Sequence, residues 1–168
     1  MDAPMPRGKP VNMVCYVDSD CAADPKMRRS VSGYIIMVNS APIIWHSKRQ
    51  RTIKALTYGA VFVAMRTATE EIIGLRYMLR MMGVPVKGPC IVFGDSLLVV
   101  SNVTQPESTL KKKHLGIAYH FVQEAAAAKI IKVYHIDTHN NPANPLTKLC
   151  SNAELKIIEE MFFDRAKK

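Results

Sequence analysis

The chain is 168 residues long, 48% of them hydrophobic, and its 23 Lys and Arg against 14 Asp and Glu give a formal net charge of +9. That length favours one domain, residues 1–168, with a full core, and the hydrophobic share excludes wholesale disorder. No run approaches the roughly 20 consecutive apolar residues of a bilayer span, so the charge points to nucleic acid as partner and to no membrane.

Residues 1–10 hold three prolines and no apolar h-region, which reads as no secretory signal and an intracellular chain, in cytoplasm or nucleus. Residues 12–20 form an apolar run that ends in two carboxylates, Asp18 and Asp20, as a buried strand does where the sheet stops. Taken alone, two acids opening a polar turn is the commoner reading. Residues 22–32, with Pro25 and a charged tip, read as a hairpin loop, followed by strands at 33–38 and 43–47 around a turn at 39–42. Trp45 on the third strand reads as packed, with an exposed face able to stack on a base as the alternative.

Over residues 55–82 the period becomes helical. Val61, Met65, Ala68, Ile72, Leu75 and Leu79 make one stripe, and Gly83 and Pro85 mark the stop. Met78, Met81 and Met82 read as core filler. Residues 91–94 are a fourth strand that delivers Asp95, parallel to the first because a crossover helix joins them. Two strands carrying one Asp each to the same sheet edge look like half of a metal-dependent nuclease site. A short helix at 96–102, a loop at 104–113, a helix at 114–129 and a fifth strand at 130–136 follow. Residues 138–142 read as a loop, and Ser151 with Glu154 has capping-box spacing for a last helix to Phe163. The order βββαβααβα gives an α/β fold with a mixed five-stranded sheet flanked by helices.

The cysteines Cys15, Cys21, Cys90 and Cys150 are scattered with no C-x-x-C pair, so they read as reduced thiols. Basic groups gather in three runs, giving Arg28, Arg29, Lys48, Arg49, Arg51, Lys111, Lys112 and Lys113 as phosphate-binding candidates. His139 and the other histidines read as loop or packing residues.

Several stretches resemble the ribonuclease H domain of copia-type retrotransposon polyproteins. They are Tyr16-Val17-Asp18-Ser19-Asp20, Ser32-Gly33-Tyr34, the run Pro42-Ile43-Ile44-Trp45-His46-Ser47-Lys48, Lys113-His114 with Tyr119-His120, and Leu146-Thr147-Lys148. The match runs in register over residues 13–149. It implies a ribonuclease H-like fold, an RNA–DNA hybrid substrate, an upstream reverse transcriptase domain and a Mg²⁺ cofactor. Four carboxylates would hold two ions about 4 Å apart, because two divalent cations so close must be neutralised by several anions.

Carried over position by position, the resemblance implies Asp18 and Asp95 as catalytic, metal-holding acids. The second acid falls on Val61, and the fourth on Asn144 in Ala143-Asn144-Pro145-Leu146-Thr147-Lys148. Val61 ligates nothing. Asn144 reads as a helix N-cap before Pro145. Glu70, nine residues beyond Val61, lies roughly 13 Å along the helix axis, too far to substitute. Any Mg²⁺ would therefore be weakly held. The expectation is a catalytically impaired domain that keeps hybrid binding through shape and phosphate contacts. An active Mg²⁺-dependent ribonuclease H, and a protein-interaction module or inert relic, are the alternatives.

Overall fold

The computed structural model describes residues 5–20, 30–50, 57–104, 116–148 and 151–162. Five strands form one sheet: β1 (Met13–Asp20), β2 (Val31–Val38), β3 (Ala41–Arg49), β4 (Cys90–Gly94) and β5 (Ile131–His135). Their order is β3-β2-β1-β4-β5, antiparallel across β3-β2-β1 and parallel across β1-β4 and β4-β5. Among the described residues four α-helices accompany the sheet, α1 (Thr57–Met81), α2 (Leu97–Thr104), α3 (Gly116–Ala127) and α4 (Asn152–Phe162). The mixed five-stranded sheet expected from the sequence is present, with β2 and β3 longer than their apolar runs suggested.

The β2–β3 connection explains that extra length. Asn39 and Ser40 take φ values of +49° and +68°, the two-residue turn whose twist matches the flanking strands. The ladder therefore starts at Val38↔Ala41, and Pro42 lies inside β3 rather than in the turn. Proline is tolerated there because β3 is the sheet edge and need not donate on its outer side.

Alternation sends two sets of residues to opposite faces. The inner face carries Met13, Cys15, Val17, Tyr34, Ile36, Cys90, Val92, Ile131 and Val133. On it lies the α1 stripe, with Val61, Met65, Ala68, Ile72 and Leu75 all buried and Leu79 partly so. On the outer face one row crosses all five strands in register: Trp45, Ile35, Tyr16, Phe93 and Tyr134. Tyr16 and Phe93 stack at 5.4 Å, and Lys132 Nζ sits 5.0 Å from the Tyr134 ring.

Three expectations need correction. Met78, Met81 and Met82 are 56%, 43% and 57% exposed and fill no core. They stand in the last turn of α1 and just past its end at Met81, where the stripe itself passes from buried at Leu75 to partly buried at Leu79, so apolar residues here no longer meet the core. Trp45 is 57% exposed on its edge strand and makes an edge contact with Phe162 of α4 at 5.2 Å. The α3 helix stops at Ala127 instead of 129. Lys129 adopts φ +56°, its N–H donates to Ala126 O, and Ile130 N–H donates to Ala125 O. Those paired bonds are the Schellman ending normally built on glycine, as at Gly83, where φ is +75° and Val84 N–H returns to Leu79 O.

Cys15 and Cys90 are buried free thiols, whereas Cys21 and Cys150 lie outside the described residues. Burial raises the Cys15 pKa well above its usual value and pushes Cys90 up to about 12. Among the described residues no helix is long and apolar enough to cross a membrane.

Candidate functional site

Asp18 sits two residues from the end of β1, on the outer face, in a row with Gly33 of β2 and Ser47 of β3. The segment from 138 to 148 crosses the sheet at this row. It can do so because Gly33 has no side chain. A Cβ there would lie 2.8 Å from Thr147 Cγ2 and 2.9 Å from Leu146 Cβ. Ser47 Oγ donates to Leu146 O at 2.6 Å, and Asn141 Nδ2 donates to Val17 O at 2.9 Å. A single 3₁₀ turn at Thr138–Asn140, capped by Asp137, replaces the loop expected at its start. A second turn, Asn144–Leu146, closes it.

The Asp18 side chain is 1% exposed. Its Oδ2 accepts a hydrogen bond from the Thr147 hydroxyl and lies 3.6 Å from Lys148 Nζ. Its Oδ1 is buried with no hydrogen-bond partner among the described residues. Burial raises the pKa of Asp18, the Thr147 hydrogen bond and the Lys148 charge lower it, and the charge of Asp95 raises it again, for a net upward shift. Asp18 and Asp95 therefore feel each other's field. Asp95 follows β4 directly, its Oδ2 accepts from Thr138 Oγ1 at 3.1 Å, and its carbonyl lies 3.2 Å from His135 Nε2.

The other two positions hold different chemistry. Val61 is 4% exposed within the core cluster. It lies one turn before Met65, whose Cε would be 3.5 Å from a Cβ on Gly94, so this end of α1 packs over the end of β4. Gln50 fixes the helix start, with Nε2 donating to Ala60 O at 2.9 Å and Ser32 Oγ at 2.8 Å. Asn144 is not the helix cap that its type suggested. Ala143 precedes the turn with helical dihedrals and no side-chain cap, and Asn144 stands inside the turn before Pro145. Its Oδ1 instead accepts from Lys148 Nζ at 2.8 Å.

Among the described residues no group of three or more His, Cys, Asp and Glu could hold a metal ion. The orphaned Asp18 oxygen is a cation-binding feature, yet beside Asp18 stand the Thr147 hydroxyl and the Lys148 ammonium, which Asn144 holds, and position 61 is a core valine with no oxygen to offer. That donor set does not fit a pair of divalent ions. Glu70 is engaged elsewhere, paired with Arg66 at 2.9 Å on the exposed helix face. Asp20 ends β1 opposite Val31 and is half-buried.

Of the basic candidates, Lys48 and Arg49 are described. They line a cleft of 450 Å³ between β2, β3 and α1, together with Ser32, Gln50 and Thr67. Arg28, Arg29, Arg51, Lys111, Lys112 and Lys113 lie outside the described residues. The sequence reading did not single out Thr147 and Lys148 as site residues, nor Thr138 and Asn141, which hold the crossing segment. Only the Leu-Thr-Lys match marked any of them, and it carried no geometry.

The sheet order and the helix packed on its inner face define a ribonuclease H-like α/β domain. The N-terminal RNase H domain of a Mycobacterium tuberculosis protein, solved as a fusion with maltose-binding protein, has a TM-score of 0.64 at 17% identity over 87% of this chain and 97% of that one. LC11-RNase H1 in complex with an RNA/DNA hybrid has a TM-score of 0.64, also at 17% identity, over 86% and 99% of the two chains. In sequence, the retrovirus-related Pol polyprotein from transposon TNT 1-94 of Nicotiana tabacum is 29% identical over 146 residues, 87% of this chain and 11% of the polyprotein. No family model matches. The chain is an RNase H-like domain related to retrotransposon Pol polyproteins, and it spans about a tenth of that relative's length.

Proposed function

We propose that this chain is an RNase H-like domain in which metal-dependent cleavage has been lost and binding to RNA–DNA hybrid kept. The observation that carries the reading is the pairing of Asn144 Oδ1 with Lys148 Nζ at 2.8 Å, where the resemblance requires a metal-holding acid. A buried valine at position 61 removes a second acid. Two carboxylates, Asp18 and Asp95, leave a pair of divalent ions under-neutralised. Hybrid binding rests on the net charge of +9 and on Lys48 and Arg49 beside the α1 cleft, with Arg28, Arg29, Arg51 and Lys111 to Lys113 as further phosphate contacts. The solved LC11-RNase H1 complex supports the hybrid as ligand. We read residues 1–168 as one domain of a longer polyprotein, with a reverse transcriptase as its neighbour.

One observation favours a second reading. The unpartnered Asp18 Oδ1 is the kind of atom a Mg²⁺ ion would take, and with Asp95 it would make a weak Mg²⁺-dependent hydrolase. Cleavage and binding of a labelled hybrid, measured side by side with Mg²⁺ and with chelator, separate the two. Binding without cleavage, unchanged by chelator, is expected. Val61→Glu together with Asn144→Asp should create Mg²⁺-dependent cleavage of the RNA strand, while either change alone does little. Full cleavage by the unaltered chain would end the proposal.

A further inference from the structure

We propose that Lys148 is a resident counter-ion for the buried Asp18 carboxylate, a tethered ammonium that fills the cation's role from within the chain. The inference rests on reading the Asp18 surroundings as a former metal site. Its test reads stability and ion binding, not cleavage, so the two readings can fail separately.

The geometry is specific. Lys148 Nζ lies 2.8 Å from Asn144 Oδ1 and 3.6 Å from Asp18 Oδ2, so one ammonium bridges two of the four expected ligand positions. The Lys148 side chain is 33% exposed, whereas that of Asp18 is 1% exposed. Its charged end therefore reaches inward from solvent to a group that water does not reach. Thr147 Oγ1 donates to the same Asp18 Oδ2, so hydroxyl and ammonium converge on one oxygen. Both donors ride on the segment that Ser47, Asn141 and the bare Gly33 hold against the sheet. A buried carboxylate without a counter-charge is strongly unfavourable. With Val61 and Asn144 at the other positions, no group of three or more His, Cys, Asp and Glu among the described residues is placed to hold a metal that would neutralise it.

Three positively charged sources compete for this oxygen in principle: Lys148, a divalent ion and a proton. The ammonium has the advantage of being covalently attached and already in contact. A divalent ion must displace it while gaining only the two acids Asp18 and Asp95. The chain is thus stable without metal, and Lys148 is a positioning residue whose effect runs through Asp18.

The test is a double-mutant cycle on the full chain, Lys148→Met with Asp18→Asn, followed by thermal unfolding with and without MnCl₂. Lys148→Met alone should lower the melting temperature by about 3–6 °C. In the Asp18→Asn background the same change should lower it by less than about a third as much. Mn²⁺ should leave the unaltered chain's melting temperature where it is and restore part of the loss in Lys148→Met, and this restoration should vanish in the double variant. Equal losses in the two backgrounds, or equal Mn²⁺ stabilisation of the unaltered chain and Lys148→Met, would overturn the assignment. Lys148→Arg keeps the charge and covers the case in which Lys148→Met fails to fold. It should retain most of the stability and stay insensitive to Mn²⁺, and a clear rise of its melting temperature with Mn²⁺ would overturn the assignment.

Discussion

At the scale of single residues, the site is governed by what surrounds one buried carboxylate. Asp18 has its pKa raised chiefly by burial, against the opposing pull of Thr147 and Lys148. A carboxyl group with a raised folded pKa binds its proton more tightly in the native state than in the unfolded chain. Its contribution favours the fold below the unfolded value near 4 and is lost as pH rises through the folded value. Replacing Asp18 by Asn removes that dependence. Urea unfolding of Asp18→Asn and the unaltered chain should give similar stabilities near about pH 3, with the variant gaining relative stability toward about pH 7. A variant that loses ground steadily over that range would show that the carboxylate is stabilised where it sits. Gly33 acts by absence. Gly33→Ala sets a methyl within 2.9 Å of Thr147 and Leu146, so it should cost about 1–3 kcal/mol in equilibrium unfolding and lift the crossing segment from Asp18. Unchanged stability would mean that the segment moves aside freely.

Elements show which sequence signals could be read and which could not. The α1 stripe was legible because six apolar residues keep one helical face and Gly83 ends it in the left-handed conformation. The end of α3 was not, because Lys129 takes the same conformation without the residue type that signals it. Trp45 and the three methionines were misread for a related reason. Apolar character alone does not say whether a strand lies at a sheet edge, or which helical face a residue near a helix end will take. The acid positions of the site were readable as motif positions. The contacts of Lys148 and Thr147 with Asp18 were not, because they join points 129 and 130 residues apart that meet only once the last turn has folded over the sheet. Asn144 is the clearest case: its residue type suggested a cap, and the fold uses its carbonyl oxygen to hold Lys148.

For the whole molecule, the net charge of +9 on an RNase H-like fold supports a phosphate-binding role that needs no metal chemistry. Hybrid affinity should fall linearly with log salt, with a slope of roughly −0.7 to −0.9 per phosphate contacted, and Lys48→Ala with Arg49→Ala should flatten that slope by about one or two contacts. Salt-insensitive binding would place recognition away from the basic groups. The central claim is that this scaffold offers too little negative charge to hold a pair of divalent ions. A calorimetric titration of the unaltered chain with MgCl₂ tests it most directly. The account predicts no saturable heat, and two Mg²⁺ ions bound per chain, with that heat abolished in Asp18→Asn, would contradict it.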